Sequence, residues 1–248
     1  MPLSWAAATV LLGAFAGGFV SGLAGFGTGL VALGIWLYVL DPGTASSLVI
    51  ICSVVSQTQT LPAIWHAIEV RRVWPIVVSG LVGVPVGTLL LGAVDPGSFK
   101  LAVGVLLLVF SGWLLLSAGR VRVRFGGRGA DALVGFAGGV MGALSGLSGP
   151  LPTLWASVRG WGKDERRAVF QAFNWSVLTL SLIVHGAAGL LTREVFWLTL
   201  AALPGTVIGA WLGARVYRRL SDQRFQRVVL GLLFVSGVVM VWTGWRGQ

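Results

Sequence analysis

Apolar residues fill eight long stretches of the chain, roughly 5–40, 44–66, 73–94, 98–118, 131–158, 167–190, 195–214 and 225–245. Polar punctuation separates them: Asp41-Pro42-Gly43, Glu69 to Arg72, Asp95-Pro96-Gly97, a basic run from Arg120 to Arg128, Lys163 to Arg167, Thr192-Arg193-Glu194, and Arg215 to Arg227. A bilayer-spanning helix needs about 20 mostly apolar residues, and the six shorter stretches match that length. The first and fifth do not. As one helix, residues 5–40 would reach ~54 Å against a hydrocarbon core of ~30 Å. Glycines interrupt this stretch at Gly22-Leu23-Ala24-Gly25-Phe26-Gly27-Thr28-Gly29, and the fifth breaks at Ser145-Gly146-Leu147-Ser148-Gly149-Pro150. Glycine clusters weaken a helix and proline removes a backbone donor, so each stretch is expected to form two helical arms meeting at a break.

Charge decides how those arms lie. If all eight stretches cross, the 18 Lys and Arg divide almost evenly between the two sides. If the first and fifth are V-shaped hairpins that return to their starting side, only Lys100, Arg193 and Arg246 stand apart from the other basic residues. Cytoplasmic loops carry the excess of Lys and Arg, so the pattern favours two hairpins and six spans, with both termini outside the cytoplasm.

The halves also repeat. Phe15-Ala16-Gly17-Gly18 returns as Phe136-Ala137-Gly138-Gly139, an offset of 121 that also aligns Leu23-Ala24-Gly25 with Leu144-Ser145-Gly146. Gly83 and Gly87 match Gly205 and Gly209 at an offset of 122, each pair near a proline, Pro85 or Pro204. The expected fold is an all-α polytopic membrane protein of two repeats, residues 1–119 and 131–248, joined by a basic cytoplasmic linker at 120–130. A hairpin followed by three spans is an odd number of crossings, so the second repeat is expected to be inverted. Inverted repeats with broken helices are a recurrent architecture of secondary transporters.

Backbone broken inside a membrane is tolerated only where it is buried or lines a polar cavity. The second arm of each hairpin begins with free N–H groups, which favour anions. The candidate substrate-binding residues are therefore Gly25, Gly27, Thr28 and Gly29 at the first break and Ser145, Ser148 and Gly149 at the second. A polar stripe on the helix after each hairpin adds Gln57 on one side (with Ser46, Ser53 and Thr60) and Gln171 and Asn174 on the other (with Arg167, Ser181 and His185). His66 and His185 close those two helices and are candidate proton-relay groups. Trp155 and Trp175 are candidate pocket walls, and Trp5, Trp74, Trp113, Trp197 and Trp242 read as interfacial anchors.

Composition narrows the function further. The chain is 56% hydrophobic and 10% charged, whereas soluble domains carry about 25% charge. The net charge of +10 sits between apolar runs, as membrane flanks do, which argues against nucleic acid as a partner. No Asp or Glu falls deep in a span, which favours an anion over a cation. Cys52 is the single cysteine, so no disulfide framework or metal cluster is expected. The N-terminal stretch lacks a basic n-region and reads as part of the protein, not as a cleaved signal. Neither a P-loop nor a metalloprotease or nucleophile-elbow motif occurs, so ATP use and catalysis are not expected.

Gly22-Leu23-Ala24-Gly25-Phe26-Gly27-Thr28-Gly29, followed by Ala45-Ser46-Ser47-Leu48, and Gly142-Ala143-Leu144-Ser145-Gly146-Leu147-Ser148-Gly149-Pro150 together resemble the signatures of the TauE/SafE family. Thr28 interrupts a run that is all glycine in many members, and Ser148-Gly149-Pro150 replaces a Val-Pro pair. The resemblance implies a multi-pass protein of the bacterial inner membrane that exports sulfite, an organosulfonate or a related small oxyanion. The expected partners are a small anionic substrate and the lipid bilayer. No cofactor is expected, with a proton or sodium gradient as candidate coupling. A passive anion channel is the alternative.

Overall fold

The computed structural model describes residues 3–90, 96–117, 126–145 and 148–246. Among them there is no strand. The helices are α1 (Leu3–Ala24), α2 (Thr28–Trp36), α3 (Pro42–Thr60), α4 (Val70–Leu90), α5 (Pro96–Leu116), α6 (Gly127–Ser145), α7 (Pro150–Val158), α8 (Lys163–Ala187), α9 (Arg193–Arg219) and α10 (Asp222–Arg246). A 3-10 turn, Leu61–Ala67, extends α3. Asp41 opens α3 by accepting the Gly43 and Thr44 N–H groups at 3.0 Å, and hydrogen bonding from Thr44 holds its carboxyl below the usual range. Most of the basic linker, 118–125, lies outside the described residues.

Both hairpins form. The Trp36 indole donates to the Val10 carbonyl at 3.1 Å, and Gly17 faces Thr28 and Ala32. α2 therefore runs back along α1 toward the end where α1 began. In the second hairpin Gly142 faces Ser148, Gly138 faces Pro152, and the Trp155 indole donates to Asp131 at 2.7 Å. Among the described residues, six helices are long and apolar enough to cross a membrane: α1, α3 with its 3-10 turn, α4, α8, α9 and α10. α1 joins this set although it is one arm of a hairpin. α5, expected as a span over 98–118, is a 21-residue helix that contains the apolar stretch Leu101–Leu116.

Two helix pairs carry most of the contact between the halves. α1 lies parallel to α9, with Gly18 on the Thr206 backbone, Gly22 on Ala210 and Gly213 on Phe19. α4 lies parallel to α6 in the same way, with Gly80 on Gly135 and Gly139, and Gly87 on Val140. Lipid tails supply no hydrophobic drive between helices, so association depends on close backbone approach through small residues. The second pairing is the first with the halves exchanged. Helices that correspond between the halves meet antiparallel: α3 with α8, through Thr60–Gln171 and Ser47–His185, and α5 with α10, through Gly104–Val241 and Gly97–Gly244.

The basic residues gather at one end of this bundle. Arg72 of α4 meets Glu165 of α8 at 3.0 Å, Lys163 donates to the Leu220 carbonyl at 2.6 Å, and Arg159 lies 4.0 Å from Asp131. At the opposite end His185 and Ser47 are 3.2 Å apart. Trp5, Trp74, Trp113, Trp197 and Trp242 are all exposed on the outer face, where interfacial anchors belong.

The glycine contacts are testable. A Cβ on Gly139 would fall on the Gly80 carbonyl, whereas one on Gly129, in the same helix, would meet open space. Gly139→Ala should cost about 1–3 kcal/mol and lower the melting temperature in detergent, with Gly129→Ala as the unchanged control.

Candidate functional site

The first break is made by two left-handed glycines, Gly25 (φ 82°) and Gly27 (φ 100°), a conformation that other residues enter only under strain. Gly25 N–H still bonds the Ser21 carbonyl at 2.7 Å, and Gly27 then turns the chain into α2. The first N–H groups of α2, on Thr28 and Gly29, have no intrahelical acceptor. At the second break Gly149 precedes α7. Pro150 and Pro152 have no N–H, and Thr153 N–H bonds Gly149 O at 3.0 Å, so α7 offers fewer free donors than α2. The backbone of Ser145 closes α6, but its side chain, with Gly146 and Leu147, lies outside the described residues.

These helix starts face each other across a small, tight pocket of about 300 Å3, the open solvent at its mouth included. Its lining is Phe26, Gly27, Thr28, Gly29 and Leu30 from the first hairpin, Ser148, Gly149 and Pro150 from the second, Ser53 and Gln57 from α3, and Asn174 and Leu178 from α8. Five pairs in this set stand 121 residues apart: Gly27 with Ser148, Thr28 with Gly149, Gly29 with Pro150, Ser53 with Asn174, and Gln57 with Leu178. The pocket is thus built from equivalent positions of the two halves.

Its polar atoms are incompletely paired. Ser148 donates to the Asn174 amide oxygen at 2.6 Å, while Asn174 Nδ2, Thr28 Oγ1 and Gln57 Oε1 are buried without a partner. Leaving a buried polar group unmet costs about 1–3 kcal/mol, so three of them around one pocket mark a place made for a polar guest. Thr28 and Asn174 offer hydrogens, and Gln57 presents an amide that accepts as placed and donates when turned over. None of the lining residues is charged. Two helix dipoles supply the positive potential instead.

Seven of the expected residues meet here: Gly27, Thr28, Gly29, Gln57, Ser148, Gly149 and Asn174. Gly25 lies just outside, against Arg167. Gln171 lies one turn from the pocket and bridges, donating to Gln57 O at 2.9 Å and Thr60 Oγ1 at 2.8 Å while accepting from Arg167 Nε at 3.2 Å. His66 is exposed on the 3-10 turn, and His185 stands at the opposite end of the bundle beside Ser47. The two histidines are not brought together. Trp155 bonds Asp131 and Trp175 bonds Thr58, and neither lines the pocket.

Arg167, expected both in the basic flank and on the polar stripe of the following helix, lies inside α8 and is fully buried. Its Nη2 donates to the Gly22 carbonyl at 2.7 Å, in the last turn of α1, where carbonyls lack helical partners. The guanidinium also rests 3.9 Å from the centre of the Tyr217 ring, whose hydroxyl bonds Asp164. Nη1 has no partner. The periodic spacing of Arg167, Gln171 and Asn174 already carried this signal. Ser53 was on the matching stripe, and its place in the pocket required the fold.

Gln171 and Asn174 should separate on stability. Gln171→Ala removes the acceptor of the buried Arg167 Nε–H together with the donor to Thr60 Oγ1 and Gln57 O, and should cost about 1–3 kcal/mol. Asn174→Ala removes an unpartnered donor together with one hydrogen bond and should shift the detergent melting temperature much less.

A family model described as sulfite exporter TauE/SafE matches residues 10–240, which include both breaks and every pocket residue. No curated protein and no solved structure matches the chain. A match over nearly the whole length, with the paired glycine breaks inside it, places this multi-pass helical protein in the TauE/SafE sulfite exporter family.

Proposed function

We propose that the protein is a secondary transporter that exports a small oxyanion, sulfite or an organosulfonate, by alternating access at the paired helix breaks. The observation that carries this reading is the pocket itself: a small, uncharged cavity built from positions 121 residues apart and ringed by unpartnered polar atoms. Helix N-termini, a threonine hydroxyl and an amide N–H suit the oxygens of an oxyanion. With no carboxylate in the lining, a cation has no counter-charge. Phe26, Leu30 and Leu178 leave an apolar wall beside the polar one, which would take the short carbon chain of a sulfonate.

The antiparallel meeting of α3 with α8 and of α5 with α10 supports inverted repeats. A site shared by two inverted halves can be presented to either side by rocking one half against the other. By the positive-inside rule the arginine-rich end is cytoplasmic and both termini lie outside, with the bacterial inner membrane as the location. A reporter fused after Gln248 should then be active only when it works outside the cytoplasm, and a cytoplasmic signal would reverse this orientation.

The decisive experiment reconstitutes the purified protein in liposomes and follows sulfite flux with and without imposed proton or sodium gradients. Flux driven by one of these gradients is expected. Flux indifferent to both would indicate a channel instead, and its absence for sulfite, thiosulfate, sulfoacetate and taurine would sink the oxyanion reading. Thr28→Val and Asn174→Ala should each weaken sulfite binding about tenfold or more, the worth of one hydrogen bond to a charged ligand. Titration calorimetry reads that loss directly.

A further inference from the structure

A second cavity, about 710 Å3 including the open solvent at its mouth, lies at the arginine-poor end. Ser46, Ile50, Thr88, Ala143, Ser181 and His185 are among its walls. It ends one helical turn from the pocket: Ile50 precedes Ser53 on α3, Ser181 follows Leu178 on α8, and Gly142 at its floor packs on Ser148. It therefore lies beside the pocket on that side.

The repeat shows what stands in the same place at the other end. At the offset of 121, Ser46 corresponds to Arg167, Ile50 to Gln171, Ala143 to Gly22 and Ser181 to Thr60, and at 122 Thr88 corresponds to Ala210. At the arginine-rich end those counterparts touch one another. Arg167 donates to Gly22 O at 2.7 Å, Gln171 donates to Thr60 Oγ1 at 2.8 Å, and Gly22 packs on the Ala210 backbone. Positions that enclose open space at one end of the bundle are closed over at the other, by the two longest side chains of the set.

Resting on the transport reading above, we propose that Arg167 is the gate on the arginine-rich side of the pocket, and that the structure is the state open toward the opposite side. Its hold is suited to release. The guanidinium is kept by one carbonyl, one amide oxygen and the face of Tyr217, and no carboxylate accepts a hydrogen bond from it among the described residues. Nη1 is buried and unpartnered, a free donor beside the route an anion must take. An oxyanion leaving the pocket on this side would offer the guanidinium stronger acceptors than Gly22 O does. Since Gly22 O belongs to the last turn of α1, exchanging that bond for one to the anion would also free the break end of the long arm. Ser46, the counterpart at the open end, cannot form such a plug.

Cysteine labelling tests this without any substrate. In a Cys52→Ala background, Ser46→Cys and Thr60→Cys variants are treated in detergent with a membrane-impermeant maleimide. Ser46→Cys should label readily and Thr60→Cys slowly. Adding Arg167→Ala should speed Thr60→Cys labelling by about tenfold, the response of an equilibrium shifted toward the open state. If Arg167→Ala does not fold, as judged by its melting curve and elution profile, Arg167→Lys is read in its place, because an ammonium cannot span Gly22 O and Gln171 together. Equal labelling at the two positions in the parent, or protection of Thr60→Cys that survives the Arg167 variant read, would overturn the gate. The expected labelling without flux of sulfite, thiosulfate, sulfoacetate or taurine would sink the oxyanion reading and leave the gate standing. Driven flux with equal labelling would do the reverse.

Discussion

A peptide backbone interrupted inside a bilayer must have its N–H and C=O groups met by protein or by water held in protein. The rest of this structure follows from that constraint. Two nine-residue helices begin at the breaks, and their first turns would be costly to leave in hydrocarbon. Each is folded against a longer arm, and both starts are turned toward the polar faces of α3 and α8. The pocket is what remains where the two starts meet.

The parts are held by two kinds of contact with different consequences. α1 on α9 and α4 on α6 meet backbone to backbone through glycine, at distances that leave no alternative register without opening a void, and interiors so packed shift as blocks and do not bend continuously. α3 and α8 meet instead through side-chain hydrogen bonds, Gln171 to Thr60 at one end and Ser47 to His185 at the other. Such bonds contribute little net free energy when partners are exchanged for equivalent ones. Two rigid pairs, each joining a helix of one half to a helix of the other, are thus coupled to one another through exchangeable polar contacts.

Much of this was legible in the sequence because it depends on period and offset. Glycine clusters too close for a helix announced both breaks, and the offset of 121 paired them. Ser53, Gln57 and Asn174 showed as a polar stripe because spans are otherwise apolar. The remainder depends on which atoms meet across helices, which no local pattern encodes. Lys163-Asp164-Glu165-Arg166-Arg167 has the composition of a loop, yet it is the first turn of α8, with Glu165 accepting the Gly162 N–H at 3.1 Å and Arg167 turned inward. The inequality of the two helix starts was also in plain view, since prolines 150 and 152 remove donors, but its weight appears only once both starts face one pocket. Gln171 was grouped with Asn174 by spacing; one turn of helix separates a bridge to Arg167 from a free amide.

The difference between the halves matters as much as their likeness. Two identical inverted halves would give a site with equal access barriers on both sides and no charge to distinguish them. Here the shared pocket is kept free of formal charge; on the proposed transport reading, dipoles and amides would hold an anion there and let it leave again. The buried guanidinium of Arg167 stands at the arginine-rich end, where the equivalent position of the other half carries only Ser46. A cation in the pocket would hold an oxyanion too firmly for turnover, whereas a cation one turn away lowers the barrier on a single side. With the gate proposed for it, Arg167 outside the symmetric lining would separate recognition, which the repeat supplies twice, from sidedness, which only one half supplies.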